Sequence, residues 1–207
     1  EEQADNGFAR RRSVMLHTFF QECSHNFPHV IYIAGNHEHY HGDFKYTLSE
    51  LKKKLAYLPN VHVLDKEVFR LGDTIFVGST LWTDMNKGDP LTLHAISNMM
   101  NDFRCVKNSN REVHFKDTEG KFHTRVSVFC PEDAVEDHKS MLEYIKTVYA
   151  DTPPWKTTII VGHHAPSKQS THPRYANETL MNGGYSSDLT EFMLDRPGIK
   201  LWTHGHT

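Results

Sequence analysis

Three short apolar runs in this chain each break off into glycine and histidine, and that repetition limits what the chain can fold into. The first is His29-Val30-Ile31-Tyr32-Ile33-Ala34, running into Gly35-Asn36-His37-Glu38. The second is Thr158-Ile159-Ile160-Val161, running into Gly162-His163-His164-Ala165-Pro166. The third is Ile199-Lys200-Leu201-Trp202-Thr203, running into His204-Gly205-His206-Thr207. Each run is strand-sized and rich in β-branched or aromatic residues. In open α/β sheets, ligands sit beyond the carboxyl ends of strands. Three strands that deliver imidazole and amide groups past that end can gather them at one point. The simplest tenant of such a point is a metal ion.

Between these runs, helix and strand patterns alternate. Leu16, Phe19, Phe20 and Cys23 recur at i, i+3, i+4 and i+7, which predicts an amphipathic helix with Cys23 in the core, ended by Asn26-Phe27-Pro28. Thr47-Leu48-Ser49-Glu50 has the form of a capping box, opening a helix with Leu48, Leu51 and Leu55 on one face. Val61 to Leu64 reads as a strand. Residues 67–71 and 74–80 read as a β-hairpin around Gly72-Asp73, and a helical segment follows at 91–100. Residues 105–130 alternate and turn at Asp117-Thr118-Glu119-Gly120, which reads as a hairpin inserted into one domain of residues 1–207. The clearest helix is Pro131 to Tyr149. Pro131 suits the first helical position, Glu132 and Asp133 complement the amino end, and Val135, His138, Leu142, Ile145 and Tyr149 face inward. A last helix spans residues 187–194. The class is α/β, with part of the sheet antiparallel.

Composition narrows the function. A chain of 207 residues can bury one full core. Its net charge of -3 offers no overall attraction to nucleic acid or to an anionic membrane. No apolar run approaches the roughly 20 residues of a membrane span, and the N-terminus lacks the pattern of a signal peptide. Cys23, Cys105 and Cys130 form no C-x-x-C pair, which disfavours a zinc ribbon and favours a reducing, cytoplasmic setting. Arg10-Arg11-Arg12 reads as a solvated helix start rather than a nucleic-acid patch.

Neutral imidazole and carboxamide oxygen are ligands that suit zinc, manganese and iron. Two such ions about 3.5–4 Å apart can clamp a phosphoryl group and activate a shared water. A histidine beside them can protonate the leaving alkoxide. In chain order, Gly35-Asn36-His37-Glu38, Gly162-His163-His164-Ala165-Pro166 and Gly205-His206-Thr207 resemble the third, fourth and fifth motifs of calcineurin-like metallophosphoesterases. Residues 76–83, 100–104 and 172–175 are similar to a bacterial and phage branch of that family.

The resemblance implies a four-layer α/β/β/α sandwich of two mixed β-sheets flanked by helices. It also implies two divalent metal ions, with Asn36, His163 and His206 as ligands and His37 as the catalytic histidine. His164 is the alternative to His163 if the register differs by one. The implied reaction is attack of a metal-bridged hydroxide on a small phosphomono- or phosphodiester. The alternatives are cleavage of DNA or RNA, and a non-catalytic binding module on the same fold. No membrane partner is implied.

Other residues keep two readings. His39 and His41 are loop residues or substrate-side contacts, and His204 either backs the ligands or is structural. His172, Arg174 and Tyr175 either touch the substrate phosphate or base, or belong to a flexible polar loop. Asn101-Asp102-Phe103-Arg104 either pins a loop over the site through an Asp102–Arg104 pair or is structural. The family opens with Asp-x-His and then Gly-Asp, whose aspartate bridges the metals, and neither pattern precedes Gly35. Asp5 follows no apolar run and is not assigned as that bridge. The second histidine of the family's G-H-x-H would fall one position past Thr207. The resemblance thus implies a fragment cut at both ends, expected on its own to bind two metals poorly.

Overall fold

In the computed structural model the backbone is described for residues 2–206 and the side chains for residues 14–206. The side chains of Asp5 and Arg10-Arg11-Arg12, and Thr207, lie outside the described residues. In chain order the elements begin with α1 (Glu2–Asn26), β1 (Val30–Tyr32), a 3-10 turn (Asn36–His39), α2 (Thr47–Leu55), β2 (Val61–Val63), β3 (Glu67–Leu71) and β4 (Thr74–Gly78). Next come α3 (Met85–Gly88), α4 (Pro90–Met99), α5 (Asp102–Cys105), β5 (Lys107–Lys116), β6 (Phe122–Val128), α6 (Pro131–Ala150) and β7 (Thr157–Val161). Two further 3-10 turns (Lys168–Ser170 and Pro173–Tyr175), α7 (Thr179–Tyr185), α8 (Thr190–Leu194) and β8 (Ile199–Thr203) complete the order.

Strands β1 and β2 pair in parallel. A mixed sheet runs β3-β4-β7-β8, antiparallel between β3 and β4 and parallel across the other three. The β5–β6 hairpin forms a separate two-stranded sheet. Period-two alternation sorts the side chains into layers. Val30, Tyr32 and Val63 point to one side, against Phe20 of α1 and Leu51 and Leu55 of α2. Ile75, Val77 and Ile160 point to the other, against Met141, Ile145 and Val148 of α6. The alternate positions meet between the sheets. The Phe69 ring stacks on His62 with centroids 3.9 Å apart, and a Cβ on Gly78 would strike Leu64 and Ile33. Helix, sheet, sheet, helix is therefore the layer order. Fully buried Met141 and Ile145 each contribute about 1.5–3 kcal/mol to holding α6 on the sheet. A further cluster (Trp82, Ile96, Phe103, Phe129 and Val135) packs between the carboxyl end of β4 and helices α4 to α6.

Local details differ from the sequence reading for identifiable reasons. Thr47 is the first residue of α2 rather than its cap, and its hydroxyl donates to the Asp43 carbonyl at 2.8 Å. Glu50 pairs with Lys53 at 2.9 Å, so the capping box does not form. On α1 Phe20 is buried, whereas Phe19 is exposed and Cys23 is only half-buried. Helix α7 had no apolar signal. It forms because Gly183 and Gly184 let its backbone press onto α4, where a Cβ would meet Thr92 at 2.5 Å and the Met100 sulfur at 2.6 Å. Among the described residues no helix is long and apolar enough to cross a membrane.

Candidate metal centre

The parallel order β4-β7-β8 aligns three carboxyl ends, and backbone hydrogen bonds knit the loops beyond them. Gly162 N–H donates to Thr203 at 3.0 Å, His163 N–H to Thr80 at 3.1 Å, and Gly205 N–H to His163 at 2.8 Å. His206 then adopts a left-handed backbone, with φ of 55°, at a cost of roughly 1–2 kcal/mol. Its ring centroid lies 4.9 Å from that of His163 and 4.5 Å from that of His164. The candidate ligand nitrogens of all three histidines fall within 4.8 Å of one another. His163 and His164 both belong to this cluster, so the two registers considered for that pair are not exclusive.

The opposing sheet contributes Asn36, at the start of the turn that follows β1. Its Oδ1 lies 2.9 Å from His163 Nε2. The orientation of the amide is dictated from behind. Asn36 Nδ2 donates to Asp102 Oδ1 at 2.7 Å, and the Tyr40 hydroxyl donates to Asp102 Oδ2 at 2.9 Å. An ionised carboxylate only accepts, so Asn36 must turn its NH2 to Asp102 and its oxygen to the histidines. Asp102 is 1% exposed. The Asp102–Arg104 pair, one of the two readings of this segment, does not form; Arg104 donates to the Asn98 carbonyl instead. His37 is exposed and its ring lies 4.4 Å from that of Tyr40.

Gly35 is required here for space. A Cβ at this position would sit 2.7 Å from His163 Cε1 and 2.9 Å from Nδ1. A Gly35→Ala variant is expected to push the imidazole off Asn36 and to cost about 1–3 kcal/mol, as overpacking does. Urea denaturation with parallel metal titration checks this. Unchanged stability together with unchanged affinity would show that His163 gives way freely.

Burial disfavours the charged form of all three imidazoles, and for His164 and His206 the neighbouring histidines add to the effect, whereas for His163 the pull of Glu38 opposes it. His163 and His164 are held below the ordinary histidine range, and His206 is lowered to about 4. Neutral imidazole is the form that binds a divalent cation. Both ring nitrogens of His164 and Nε2 of His206 are buried without a hydrogen-bond partner. An unsatisfied buried polar group costs about 1–3 kcal/mol, so this donor set fits a cation.

The remaining candidates scatter. His39, expected in a loop or beside the substrate, is fully buried, its ring 5.3 Å from Phe44 and 6.0 Å from Trp82. Burial lowers its pKa from 6.5 to about 4, against the opposing pull of Glu38, Asp65 and Asp102. Between those values the unfolded chain takes up a proton that the folded chain refuses. Stability is therefore expected to fall as pH drops from 6.5 toward 4, by about 3 kcal/mol for this group alone. Denaturation at pH 7.5 and pH 4.5 measures the loss. His39→Leu, similar in volume and without a titrating group, should shrink it; an unchanged pH dependence would sink the assignment to His39. His204 is exposed and its Nε2 lies 3.0 Å from Ser170 Oγ. Arg174 is exposed, with its guanidinium 5.6 Å from the centre of the Tyr175 ring. Sequence reasoning missed the contacts Asp102 and Tyr40 make to the site. It also missed Tyr185, whose ring stacks on His206 at 4.8 Å and 17°. The sequence offers Arg104 as one possible partner for Asp102 and gives no signal for Tyr185.

Fold and cluster together define a class: a layered α/β protein whose parallel strand ends converge imidazoles that could hold a metal ion. Residues 5–207 match the family model for calcineurin-like phosphoesterases, and the chain belongs to that family, one of metal-dependent hydrolases of phosphoester bonds. An uncharacterized protein of Acanthamoeba polyphaga mimivirus is 28% identical over 201 residues, which cover 91% of this chain and 65% of the viral protein. The chain thus spans a little under two thirds of the length of that curated relative. No solved structure matches.

Proposed function

We propose that this protein hydrolyses a small phosphomono- or phosphodiester at a centre for two divalent ions, drawn from manganese, iron and zinc. The observation that carries this reading is the cluster of neutral imidazoles with unpaired buried nitrogens at His164 and His206, joined by His163. Asn36, His163 and His206 would hold the cation, with His164 behind them, its ring 5.1 Å from that of Trp82. A divalent ion there supplies Lewis-acid polarisation of the phosphoryl oxygens and a water acidified toward neutral pH. His37, adjacent to Asn36 in the turn after β1 and exposed, donates a proton to the leaving oxygen. Asp102 holds the Asn36 amide, Gly35 leaves room for His163, and Trp82 with Phe129 keeps water from the rear of the cluster. The modest net charge of -3 favours a small ester over a long duplex.

The test is to load the protein with Mn(II), measure its metal content, and assay p-nitrophenyl phosphate, bis(p-nitrophenyl) phosphate and single-stranded and plasmid DNA. Turnover of an aryl ester, abolished by a chelator and restored by Mn(II), is expected from a protein that carries this chain together with the family's Asp-x-His and Gly-Asp motifs, and weak metal binding from residues 1–207 alone. Cleavage confined to polynucleotide would replace the small ester with nucleic acid. No bound metal and no hydrolysis would leave only a binding module.

A further inference from the structure

A cavity of about 390 Å³ opens beside the histidine cluster, and two connections tie it there. Ala165 in its wall directly follows His164 in the chain. Tyr185 lines the cavity and stacks on His206. The space is far larger than a phosphate needs and falls in the usual range of organic ligand sites, roughly 300–1,000 Å³. Its lining combines flat and sharply polar groups. Tyr175, Tyr185 and Met181 offer faces for a planar ring, while Glu178 offers a carboxylate. A carboxylate repels a second phosphate and accepts N–H and O–H groups. His172 Nδ1 accepts from the Arg174 N–H, which places the proton of the neutral ring on Nε2 and makes that edge a donor.

Building on the phosphoesterase reading, we propose that this cavity binds the nucleoside portion of the substrate, a planar heteroaromatic base on a sugar, and so selects nucleotide esters. The phosphate lies toward His163 and His206, and the base stacks against Tyr175. The hydrogen-bonding edges of base and sugar meet Glu178 and His172. An aliphatic ester would offer neither of those polar groups a partner.

Adenosine alone is the probe, because it carries no phosphate and its binding does not require hydrolysis. Calorimetric titration should give saturable binding. Tyr175→Ala should weaken that binding about tenfold or more, the scale of one lost base–aromatic stack, and Tyr175→Phe should retain it. Tyr175 is largely solvent-exposed, so both variants are expected to fold. Equal binding of n-hexanol, or adenosine binding indifferent to Tyr175→Ala, overturns the proposal. Adenosine binding by a protein that hydrolyses no ester would uphold the cavity while removing the phosphoesterase reading. Hydrolysis of aryl esters without adenosine binding would do the reverse.

Discussion

A His37→Ala variant is expected to lose about 10²- to 10⁴-fold in kcat on an alkyl phosphoester, the range that a positioned general acid contributes. The loss should be much smaller on a p-nitrophenyl ester, because p-nitrophenolate departs without a proton. His37 suits this role by position. Its ring rests beside Tyr40 and is exposed, while the imidazoles of His163, His164 and His206 lie deeper. Metal content should remain that of the native protein, since His37 lies outside the cluster of candidate ligand nitrogens. The check is kcat on the two esters, with metal analysis of both proteins. An equal loss on both esters would assign His37 to binding, and no loss on either would end its role as the acid.

Asp102→Leu is expected to weaken Mn(II) binding about 10- to 100-fold, the usual effect of removing a group that orients a ligand. Without the carboxylate, Asn36 Nδ2 and the Tyr40 hydroxyl lose their acceptor. The amide is then free to turn its NH2 toward His163. Asp102→Asn retains a carbonyl that can accept from Asn36 Nδ2, and much of the affinity should return. Mn(II) titration followed by electron paramagnetic resonance reads both variants. Native affinity in the leucine variant would show that the buried carboxylate does not orient Asn36. Native-like folding with weak binding in both variants would show that the charge matters rather than the hydrogen bond.

Much of the fold was legible because it follows local periodicity. The strand ends at Val161 and Thr203, the β3–β4 hairpin and the Pro131 start of α6 all follow from patterns spanning only a few residues, whereas β1 stops at Tyr32, two residues short of the apolar run's end at Ala34. His163 and His206 converge because the ends of β7 and β8 align, which parallel topology makes foreseeable, while Asn36 reaches them from the opposing sheet. What was not legible depends on partners distant in the chain. Asp102 meets Asn36 across 66 positions, while Arg104, near it in the chain, turns to the Asn98 carbonyl. His39 reads as polar in any sequence pattern; only Phe44 and Trp82 closing on it make it a core residue. Helix α7 depends on Gly183 and Gly184 fitting against α4, and no propensity would favour two adjacent glycines in a helix.

The three strands do not hold their histidines equally firmly. Among the described residues β8 is the outermost strand of its sheet, paired only with β7, and Leu201 on it is half exposed. His206 lies three positions beyond β8, next to the Gly205 bond to His163. If the strand frays, His206 is drawn away while Asn36 and His163 stay in place. A cation shared by all three would then act as a rivet through the sheet margin. Each tenfold excess of free ion over its dissociation constant would add about 1.4 kcal/mol against that fraying. Metal supply would thus set how tightly the sheet margin stays closed, apart from any chemistry at the site.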